Sequence, residues 1–554
     1  MTFSMKLMIR QKIEDAIRSL GGPSAQDWPL ASIVVEEPKD PDHGHLATNA
    51  ALTLAKALGQ KPRTLADQII AALADPEGYI ESTQVAGPGF INFRLSGQWW
   101  AQALSSIIAT GSDFGRIPAT GRRVQVEYVS ANPTGPLHVG HGRGAALGDS
   151  LARILSFAGD EVSREYYVND AGRQMRILGA SVLARLKELK GSPLPFPDDH
   201  YRGQYIIDLA KTFLASPQIG PKDFADLPEP SQVAWLSQWA GNQILDDIKK
   251  DLLDFRAIQE DWFSERSLYE KGLVDEALGA LKKGGHIYEK EQALWFRSEP
   301  LGDDKDRVLI KSDGEKTYLA ADVAYHHNKL ERGYDLMVDV WGADHHGYIP
   351  RVKAAVEALG YDRERLAVVL IQLVNLLRHG QVVTMSTRAG EFVTLREVVT
   401  EVGVDAARFM FLTRSHESPL DFDLEVAKAQ NRDNPVYYVQ YVCARIFSLR
   451  QKGSPSTGPA DLTLLVAPEE VDLVRHLSGF PETVQAAARR LEPHLLTAWL
   501  TNTARLFHQY YGRHKIIDEA NPALTQARLA LAEAIRQVTV IGLTLVGVSA
   551  PEQM

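Results

Sequence analysis

The sequence predicts a multidomain α/β protein in which a parallel-sheet core lies between a small N-terminal α/β domain and an all-α C-terminal domain. The length of 554 residues is enough for three or four domains. A strand–helix–strand pattern over residues 123–168 is the seed of a parallel sheet. From about residue 420 onward only helical periodicity is evident, with no convincing strands. We therefore place the domains at 1–117, 118–419 and 420–554.

The N-terminal domain begins with an amphipathic helix. Apolar residues recur at helical spacing over residues 9–20, and Gly21 with the Gly-Pro pair after it ends the helix. A second helix is predicted over residues 49–58. Residues 85–95 contain a Gly-Pro-Gly turn and an alternating apolar pattern, which predicts a strand.

The core combines strands with helices on the sheet faces. Residues 124–128 alternate as a strand, a Pro/Gly loop follows, and a helix with an apolar face leads to a second strand at 162–168. Two more strands are predicted at 336–340 and 366–370. The charged region at about 181–262 is predicted to be a mainly helical insertion, so the core strands come from widely separated parts of the chain.

Composition excludes some classes of protein. The chain has 60 Lys and Arg against 70 Asp and Glu, a net charge of −10, which excludes a uniformly basic nucleic-acid coat but leaves room for a local basic face. The single cysteine, Cys443, excludes a disulfide framework and a cysteine-rich zinc site. Neither a secretory signal nor a membrane-spanning stretch is evident. We expect a cytoplasmic protein.

The chemistry is indicated by His138-Val139-Gly140-His141, which follows the first core strand and begins a helix. The histidines are three residues apart and point the same way on a helix. A helix start favours anions through its dipole and unpaired N–H groups. Gly140 lets a phosphate or an adenine approach the backbone, and the histidines can stabilise charge that develops at an attacked α-phosphate.

Other nucleotide and metal motifs fit this segment less well. Metal-binding helices use histidines four residues apart with an added carboxylate, so zinc is the weaker interpretation. The glycines after His138 do not follow the dinucleotide-binding G-x-G-x-x-G pattern, and the chain has no G-x-x-x-x-G-K-[ST] loop.

A longer segment carries a family resemblance. Residues 126–144 read VEYVSANPTGPLHVGHGRG and strongly resemble the signature of class I aminoacyl-tRNA synthetases, specifically the arginyl enzymes of bacterial type. The likeness continues in YYVNDAGRQ (166–174), WGADHHGY (341–348) and NPVYYVQY (434–441). It covers essentially the whole chain.

The resemblance implies both fold and reaction. The core would be a class I Rossmann-like catalytic domain, the N-terminal domain would bind the tRNA elbow, and the C-terminal domain would bind the anticodon. Arginine and ATP would form arginyl-adenylate and pyrophosphate, and the arginyl group would pass to the tRNA 3′ end. Family members typically need bound tRNA before they activate arginine. We expect a monomer, with Mg²⁺ brought by ATP because the sequence shows no metal site.

The resemblance also assigns residues. A planar, permanently charged guanidinium needs carboxylates and other acceptors. The implied arginine-binding residues are Ser130, Ala131, Asn132, Glu265, Tyr318, Asp322 and His345. The implied ATP-binding residues are Pro133, Thr134, Gly135, Leu137, His138, Val139, Gly140, His141, Met385 and Ser386. The implied catalytic residues are His138, His141 and Arg388.

One signature of the class departs from its usual form. Lys-Met-Ser-Lys is replaced by Thr384-Met385-Ser386-Thr387, so both lysines that meet ATP phosphates are missing. Some relatives without them carry a lysine at the position that is Gly135 here. We hypothesise that Arg388, with Mg²⁺ and Arg143, neutralises the phosphates. The alternative is that Arg388 pairs with Glu391 on the loop surface.

Contacts to tRNA are predicted in the C-terminal third, where basic and aromatic residues are interleaved. Charges suit phosphates and rings suit splayed bases, although about half of the aromatic rings must face the helical core. The predicted contacts are Arg432, Tyr437, Tyr441, Arg445, Arg505, Tyr510 and Arg513.

Two other functions stay open at this stage. The first is a nucleotidyltransferase with the same HxGH motif that adenylylates a small acid without RNA. The second is a non-catalytic tRNA-binding or regulatory paralogue, motivated by the missing lysines. The helical C-terminal third argues against the first, and the intact histidines and carboxylates argue against the second.

Replacing Arg388 by alanine is expected to slow adenylate formation with little loss of tRNA binding, because the developing phosphate charge loses a counterion. Pyrophosphate exchange measures the first quantity and filter binding the second. Unchanged activation kinetics would contradict this role for Arg388.

Overall fold

The computed structural model of the chain describes residues 4–21, 28–192, 196–216, 224–383, 393–453 and 459–554. Met385, Ser386 and Arg388 lie outside the described residues, so their roles stay predictions. The domain boundaries at 117 and 419 also stay predictions.

The N-terminal part combines a small sheet with four helices. Its elements are α1 (Met5–Gly21), β1 (Val35–Glu36), β2 (Leu46–Thr48), α2 (Ala50–Ala55), α3 (Pro62–Ala72), β3 (Ile80–Ala86), β4 (Phe90–Leu95) and α4 (Gly97–Thr110). The sheet is antiparallel in the order β1-β2-β4-β3. Residues 85–95 are thus the end of one strand, a turn and the whole of the next. The turn depends on Gly87 and Gly89, both at positive φ.

The predicted strand–helix–strand unit is present, and mostly helical chain follows it. The elements are β5 (Arg123–Glu127), α5 (Val139–Phe157), β6 (Glu161–Val168), α6 (Gly172–Leu189), α7 (Gln204–Ala215), α8 (Glu229–Asp254) and β7 (Asp261–Ser264). The region predicted as a helical insertion holds α7, α8 and the second half of α6. Its last residues already belong to β7, a strand of the core sheet.

The next segment completes the core sheet. Its elements are α9 (Arg266–Glu270), α10 (Leu273–Lys283), β8 (Ile287–Lys290), β9 (Ala293–Phe296), β10 (Arg307–Ile310), α11 (Tyr318–Glu331), β11 (Leu336–Gly342), α12 (Ile349–Ala358) and β12 (Leu366–Ile371). The core sheet is parallel throughout, in the order β12-β11-β5-β6-β7. All five strands therefore end at one edge, where ligands bind in open α/β sheets.

The segment after the core sheet contains three short strands that the sequence did not predict. Its elements are β13 (Val374–Arg378), β14 (Gln381–Val382), α13 (Leu395–Val402), α14 (Val404–Phe411), β15 (Leu420–Asp423) and α15 (Leu424–Lys428). The expectation of no strand beyond about 420 is wrong, because β15 pairs in parallel with β13. Four residues are too few for a period-two pattern to be recognised in the sequence.

The rest of the chain is helical in the described residues, as predicted. The helices are α16 (Pro435–Lys452), α17 (Pro468–Ser478), α18 (Phe480–Arg490), α19 (His494–Arg513) and α20 (Pro522–Leu545). None of the helices within the described ranges is both long enough and apolar enough to cross a membrane.

A buried ion pair joins α5 to α14. Arg408 Nη2 donates to Asp149 Oδ2 at 2.6 Å, and neither side chain is exposed. The same guanidinium donates to the carbonyls of Phe255 (3.0 Å) and Val546 (3.1 Å). Gly547 must be glycine there, since its φ is +69° and a Cβ would meet Arg408 at 2.2 Å.

Replacing Arg408 by leucine is expected to destabilise the protein by about 3 kcal/mol, the low end for breaking a buried pair, because Arg153 still contacts Asp149. Urea unfolding followed by tryptophan fluorescence measures this loss. Arg378→Leu, which removes an exposed pair with Glu401, is the control and should leave the midpoint unchanged. Equal effects of the two substitutions would contradict the assignment.

Candidate active site at the carboxyl edge of the parallel sheet

A cavity of about 1220 Å³ opens at the carboxyl edge of the core sheet. It is lined by the loop after β5, the start of α5, the first turns of α11 and the segment after β11. The predicted site residues that line it are Ser130, Ala131, Asn132, His138, Val139, Gly140, His141, Glu265, Tyr318, Asp322 and His345. The fold therefore brings the two histidines and the two carboxylates, separated by more than 100 residues, into one cavity.

His138 and His141 form a reciprocal cap at the start of α5. His138 Nδ1 accepts from the backbone N–H groups of Gly140 (3.1 Å) and His141 (3.4 Å), and His141 Nδ1 accepts from His138 N–H (3.2 Å). The rings stack with centroids 3.6 Å apart. Because each Nδ1 accepts, the neutral imidazoles carry their hydrogen on Nε2.

Burial keeps both rings neutral. It lowers the pKa of His138 and lowers that of His141 to about 3, where the neighbouring His138 adds to the effect. At neutral pH the pair thus offers N–H donors without a formal charge. Such donors suit the oxygen atoms of a phosphate.

The first backbone N–H groups of α5 are not available to an anion, contrary to expectation. Val139 N–H donates to the Val393 carbonyl at 3.2 Å, and the next two N–H groups donate to His138 Nδ1. The local reason is that the chain around Thr394 bridges back to His138. A phosphate at this helix start must therefore be met by side chains.

Glu265 and Asp322 make the other half of the cavity negative. Burial, together with the charges of Asp322 and Asp170, raises the pKa of Glu265 to about 7. Burial also raises the pKa of Asp322, although the Tyr348 hydroxyl donates to it. Within the described part of the chain, no lysine or arginine forms an ion pair with either carboxylate. The cavity therefore favours a cationic ligand.

The helical C-terminal part presents a cation–aromatic stack. Tyr437 and Tyr441 stack at 6.0 Å on α16, and the Arg445 guanidinium lies 4.5 Å from the Tyr441 ring and 4.3 Å from that of Tyr511. All four side chains are half-buried. Planar groups stacked in this way offer a surface to which nucleobases can add.

Comparisons with known proteins identify the family of the chain. Family models match it in order: the arginyl tRNA synthetase N-terminal domain at residues 7–95, the catalytic domain of class I (R) tRNA synthetases at 103–205 and 234–428, and the DALR anticodon binding domain at 439–554. A curated arginine–tRNA ligase of Desulfosudis oleivorans is 50% identical over 560 residues, covering 100% of both chains. The chain belongs to the arginyl-tRNA synthetase family.

Further relatives agree. An arginine–tRNA ligase of Desulfovibrio desulfuricans is 51% identical over 534 residues, covering 95% of this chain and 96% of its own. The solved arginyl-tRNA synthetase of Thermus thermophilus has a TM-score of 0.76 at 24% identity, over 99% of this chain and all of its own. At 24% identity the likeness to the Thermus thermophilus structure establishes the fold alone, and that fold is the one described above.

Part of the predicted ATP loop of this arginyl-tRNA synthetase lies outside the cavity. Leu137 is fully buried in the apolar core, and Pro133, Thr134 and Gly135 do not line the cavity. The Thr134 carbonyl instead accepts from the Tyr205 hydroxyl at 2.9 Å. These residues shape the loop that presents His138.

Arg143 is not a phosphate counterion in this arginyl-tRNA synthetase. Its guanidinium is buried and donates to the carbonyls of Gln372 (2.8 Å) and Ser415 (2.9 Å), so that hypothesis is wrong. The predicted contact of Tyr510 with tRNA is also wrong. Its ring is fully buried and its hydroxyl donates to Glu470 at 3.2 Å, so it does not face tRNA in this conformation.

Two of the predicted residues, Tyr318 and His345, lie at the rim of the cavity and are exposed. Tyr318 is 66% exposed, and His345 lies 3.6 Å from the carboxylate of Asp344. Among the other tRNA predictions, Arg505 and Arg513 line a separate groove of about 930 Å³ between α17, α18 and α19. Arg432 is exposed.

Some site residues were not predicted. Tyr348 donates to Asp322, and the Asn169 amide, in the orientation that satisfies its neighbours, donates to Glu265 Oε2 at 3.0 Å. Both residues lie within segments that resemble the arginyl-tRNA synthetases, so the resemblance could have pointed to them. Their roles were missed because the carboxylates they contact are distant in the sequence.

Proposed function

We propose that this arginyl-tRNA synthetase activates L-arginine with ATP and transfers the arginyl group to the 3′ end of its tRNA. The observation that carries the proposal is the composition of one cavity. Glu265 and Asp322 form a receptor for a cation, while His138 and His141 supply N–H donors for phosphate. A single cavity with both features suits arginine and ATP together.

Arginine binds through its two ends. Its guanidinium donates in a planar fork to Glu265 and Asp322, with Tyr318 and Tyr348 beside it. Ser130 and Asn132 hold the amino-acid end, with Ala131 between them and His345 nearer the nucleotide. Glu265 loses its proton when the guanidinium arrives, because an adjacent positive charge favours the carboxylate.

The first step is attack of the arginine carboxylate on the α-phosphorus of ATP. The new bond joins a carboxylate oxygen to phosphorus, the bond to the β-phosphate bridging oxygen breaks, and pyrophosphate leaves with that electron pair. His138 and His141 stabilise the charge on the α-phosphate through Nε2–H, with Gly140 allowing close approach. In the same proposal, Met385 and Ser386 bind ATP and Arg388 neutralises its phosphates.

Mg²⁺ enters as part of the ATP substrate. In the described ranges, no group of three or more His, Cys, Asp or Glu side chains is arranged to hold a metal ion. The phosphates themselves supply the oxygen ligands that Mg²⁺ prefers.

The tRNA binds along the helical C-terminal part, where its bases add to the stack of Tyr437 and Tyr441 and its phosphates meet Arg445, Arg432, Arg505 and Arg513. This keeps the overall charge of −10 compatible with a polyanionic partner, because the contacts are local. A monomeric, cytoplasmic enzyme completes the proposal.

The proposal is tested by arginine-dependent pyrophosphate exchange with and without tRNA, followed by charging. Arginine-dependent exchange and charging are expected. Exchange with a different acid and no RNA requirement would favour the nucleotidyltransferase, and tRNA binding without any exchange would favour the non-catalytic paralogue.

Glu265→Gln is expected to raise KM for arginine about 10- to 100-fold, because a charge-assisted hydrogen bond to the guanidinium is lost. In the unchanged enzyme, KM should rise as the pH falls below about 7, up to the 10- to 100-fold of the variant, and level off above it, since the carboxylate binds the cation more tightly than the neutral acid does. This rise should vanish in the variant. Glu270→Gln, on the exposed face of α9, is the matched control. An unchanged KM in Glu265→Gln would exclude this carboxylate from the arginine site.

Arg445→Ala is expected to weaken tRNA binding about tenfold and to reduce the slope of log K against log salt by about 0.7–0.9, the amount for one lost phosphate contact. Exchange at saturating tRNA should be unaffected. Arg363→Ala, which removes an exposed charge paired with Glu357, is the control. Filter binding at several salt concentrations measures both quantities. An unchanged slope would show that Arg445 does not contact a tRNA phosphate.

A further inference from the structure

A cluster of charges adjoins the active-site cavity, and its two acids, Glu127 and Asp339, are among the residues that line the cavity. Its centre is Lys329, whose side chain has no exposure and whose Nζ donates to Glu127 Oε2 at 2.6 Å and Asp339 Oδ1 at 2.8 Å. Lys329 belongs to α11, Glu127 to β5 and Asp339 to β11. One ammonium therefore joins two adjacent parallel strands to the helix that crosses them.

The cluster is too costly to be incidental. Taking an ammonium and two carboxylates out of water is unfavourable unless their pairing and hydrogen bonds are nearly complete. Here the two carboxylates raise the pKa of Lys329 despite its burial, and Lys329 lowers the pKa of Asp339 to about 2, whereas burial raises the pKa of Glu127. The Tyr325 hydroxyl lies 2.8 Å from Glu127 Oε2 and 2.5 Å from Glu165 Oε1, so these two acids share its single proton.

One arm of the cluster reaches the loop that holds the amino-acid end. Glu127 Oε1 accepts from Ser130 Oγ at 2.9 Å, and the same Oγ accepts from Tyr167 N–H at 3.0 Å. Val129 and Ser130 have φ of +70° and +39°, which is strained for residues with a side chain. The hydrogen bond to Glu127 helps to hold Ser130 in this conformation.

The other arm reaches the backbone of Asp322, the residue whose carboxylate holds the guanidinium in the proposed function. Asp339 Oδ2 lies 3.0 Å from His326 Nε2, and His326 Nδ1 lies 2.8 Å from the Asp322 carbonyl oxygen. His326 is 3% exposed, so its ring position is set by these contacts and by packing. The first turn of α11, which carries Asp322, is thereby tied to the same ammonium.

We propose that Lys329 is a positioning residue that sets the span between Ser130 and Asp322, and through it the length of amino acid that the site accepts. The inference rests on the proposed function, in which these two residues grip opposite ends of arginine. Without the ammonium, Glu127 and Asp339 face each other with like charge and the two arms move independently. The site then loses its preference for the correct chain length.

The test compares arginine with homoarginine, which has one more methylene, in pyrophosphate exchange by the Lys329→Met enzyme. An intact site discriminates between chain lengths that differ by a methylene by about 10- to 200-fold. In the variant this ratio of kcat/KM values is expected to fall at least tenfold, with a raised KM for arginine and an unchanged KM for ATP. A merely structural role would lower activity for both amino acids and leave the ratio in place.

Two further variants keep the test decisive. Lys353→Met removes a half-buried lysine that lies outside the cluster and pairs with the exposed Glu364, and it should leave the ratio unchanged. Lys329→Met/Glu127→Gln removes one charge of each sign and should show the same loss of discrimination as the single variant. If neither Lys329 variant folds, the cluster serves stability and the proposal is overturned.

The two failures are distinguishable. If the unchanged enzyme exchanges pyrophosphate with neither guanidino amino acid, the proposed function is wrong. If it activates arginine and Lys329→Met keeps the ratio within twofold, only the positioning role is wrong.

Discussion

The contact on which the site depends most is the pairing of the Lys329 ammonium with the carboxylates of Glu127 and Asp339. Glu127 ends β5 and Asp339 lies opposite it in the middle of the neighbouring parallel strand β11, inside the protein, where unpaired charge is strongly unfavourable. The helix α11 must cross the sheet at the register that brings Lys329 between them. That crossing also fixes where Tyr318 and Asp322 stand, because they begin the same helix.

The two halves of the cavity differ in charge. Around Glu265 and Asp322 no lysine or arginine of the described residues pairs with the carboxylates, and burial together with the charges of Asp322 and Asp170 raises the pKa of Glu265. The site is thereby prepared for a cation. Around His138 and His141 the fold avoids charge altogether. The helix start is capped by its own histidines, so the donors offered to a nucleotide are two side-chain N–H groups in a determined tautomer.

Belonging to a signature segment does not determine which way a side chain points. Arg143 lies two residues after His141, yet it turns away from the cavity and satisfies two backbone carbonyls. Tyr510 lies in a basic and aromatic helix segment, yet the helical period turns it into the core. In both cases a buried hydrogen bond, visible only in three dimensions, decides the role.

The sequence by itself determined the class of fold, the order of the core elements, the helical nature of the C-terminal part and the family. Periodicity and long motifs are local signals, so they survive without the structure. It also identified the histidines and carboxylates that meet in one cavity. It missed β7, the short strands β8 to β10 and β13 to β15, Tyr348 and the Lys329 cluster. Only the tertiary structure decided these, because strand pairing, burial and ion pairing join residues far apart in the chain, and their energies depend on what surrounds each group.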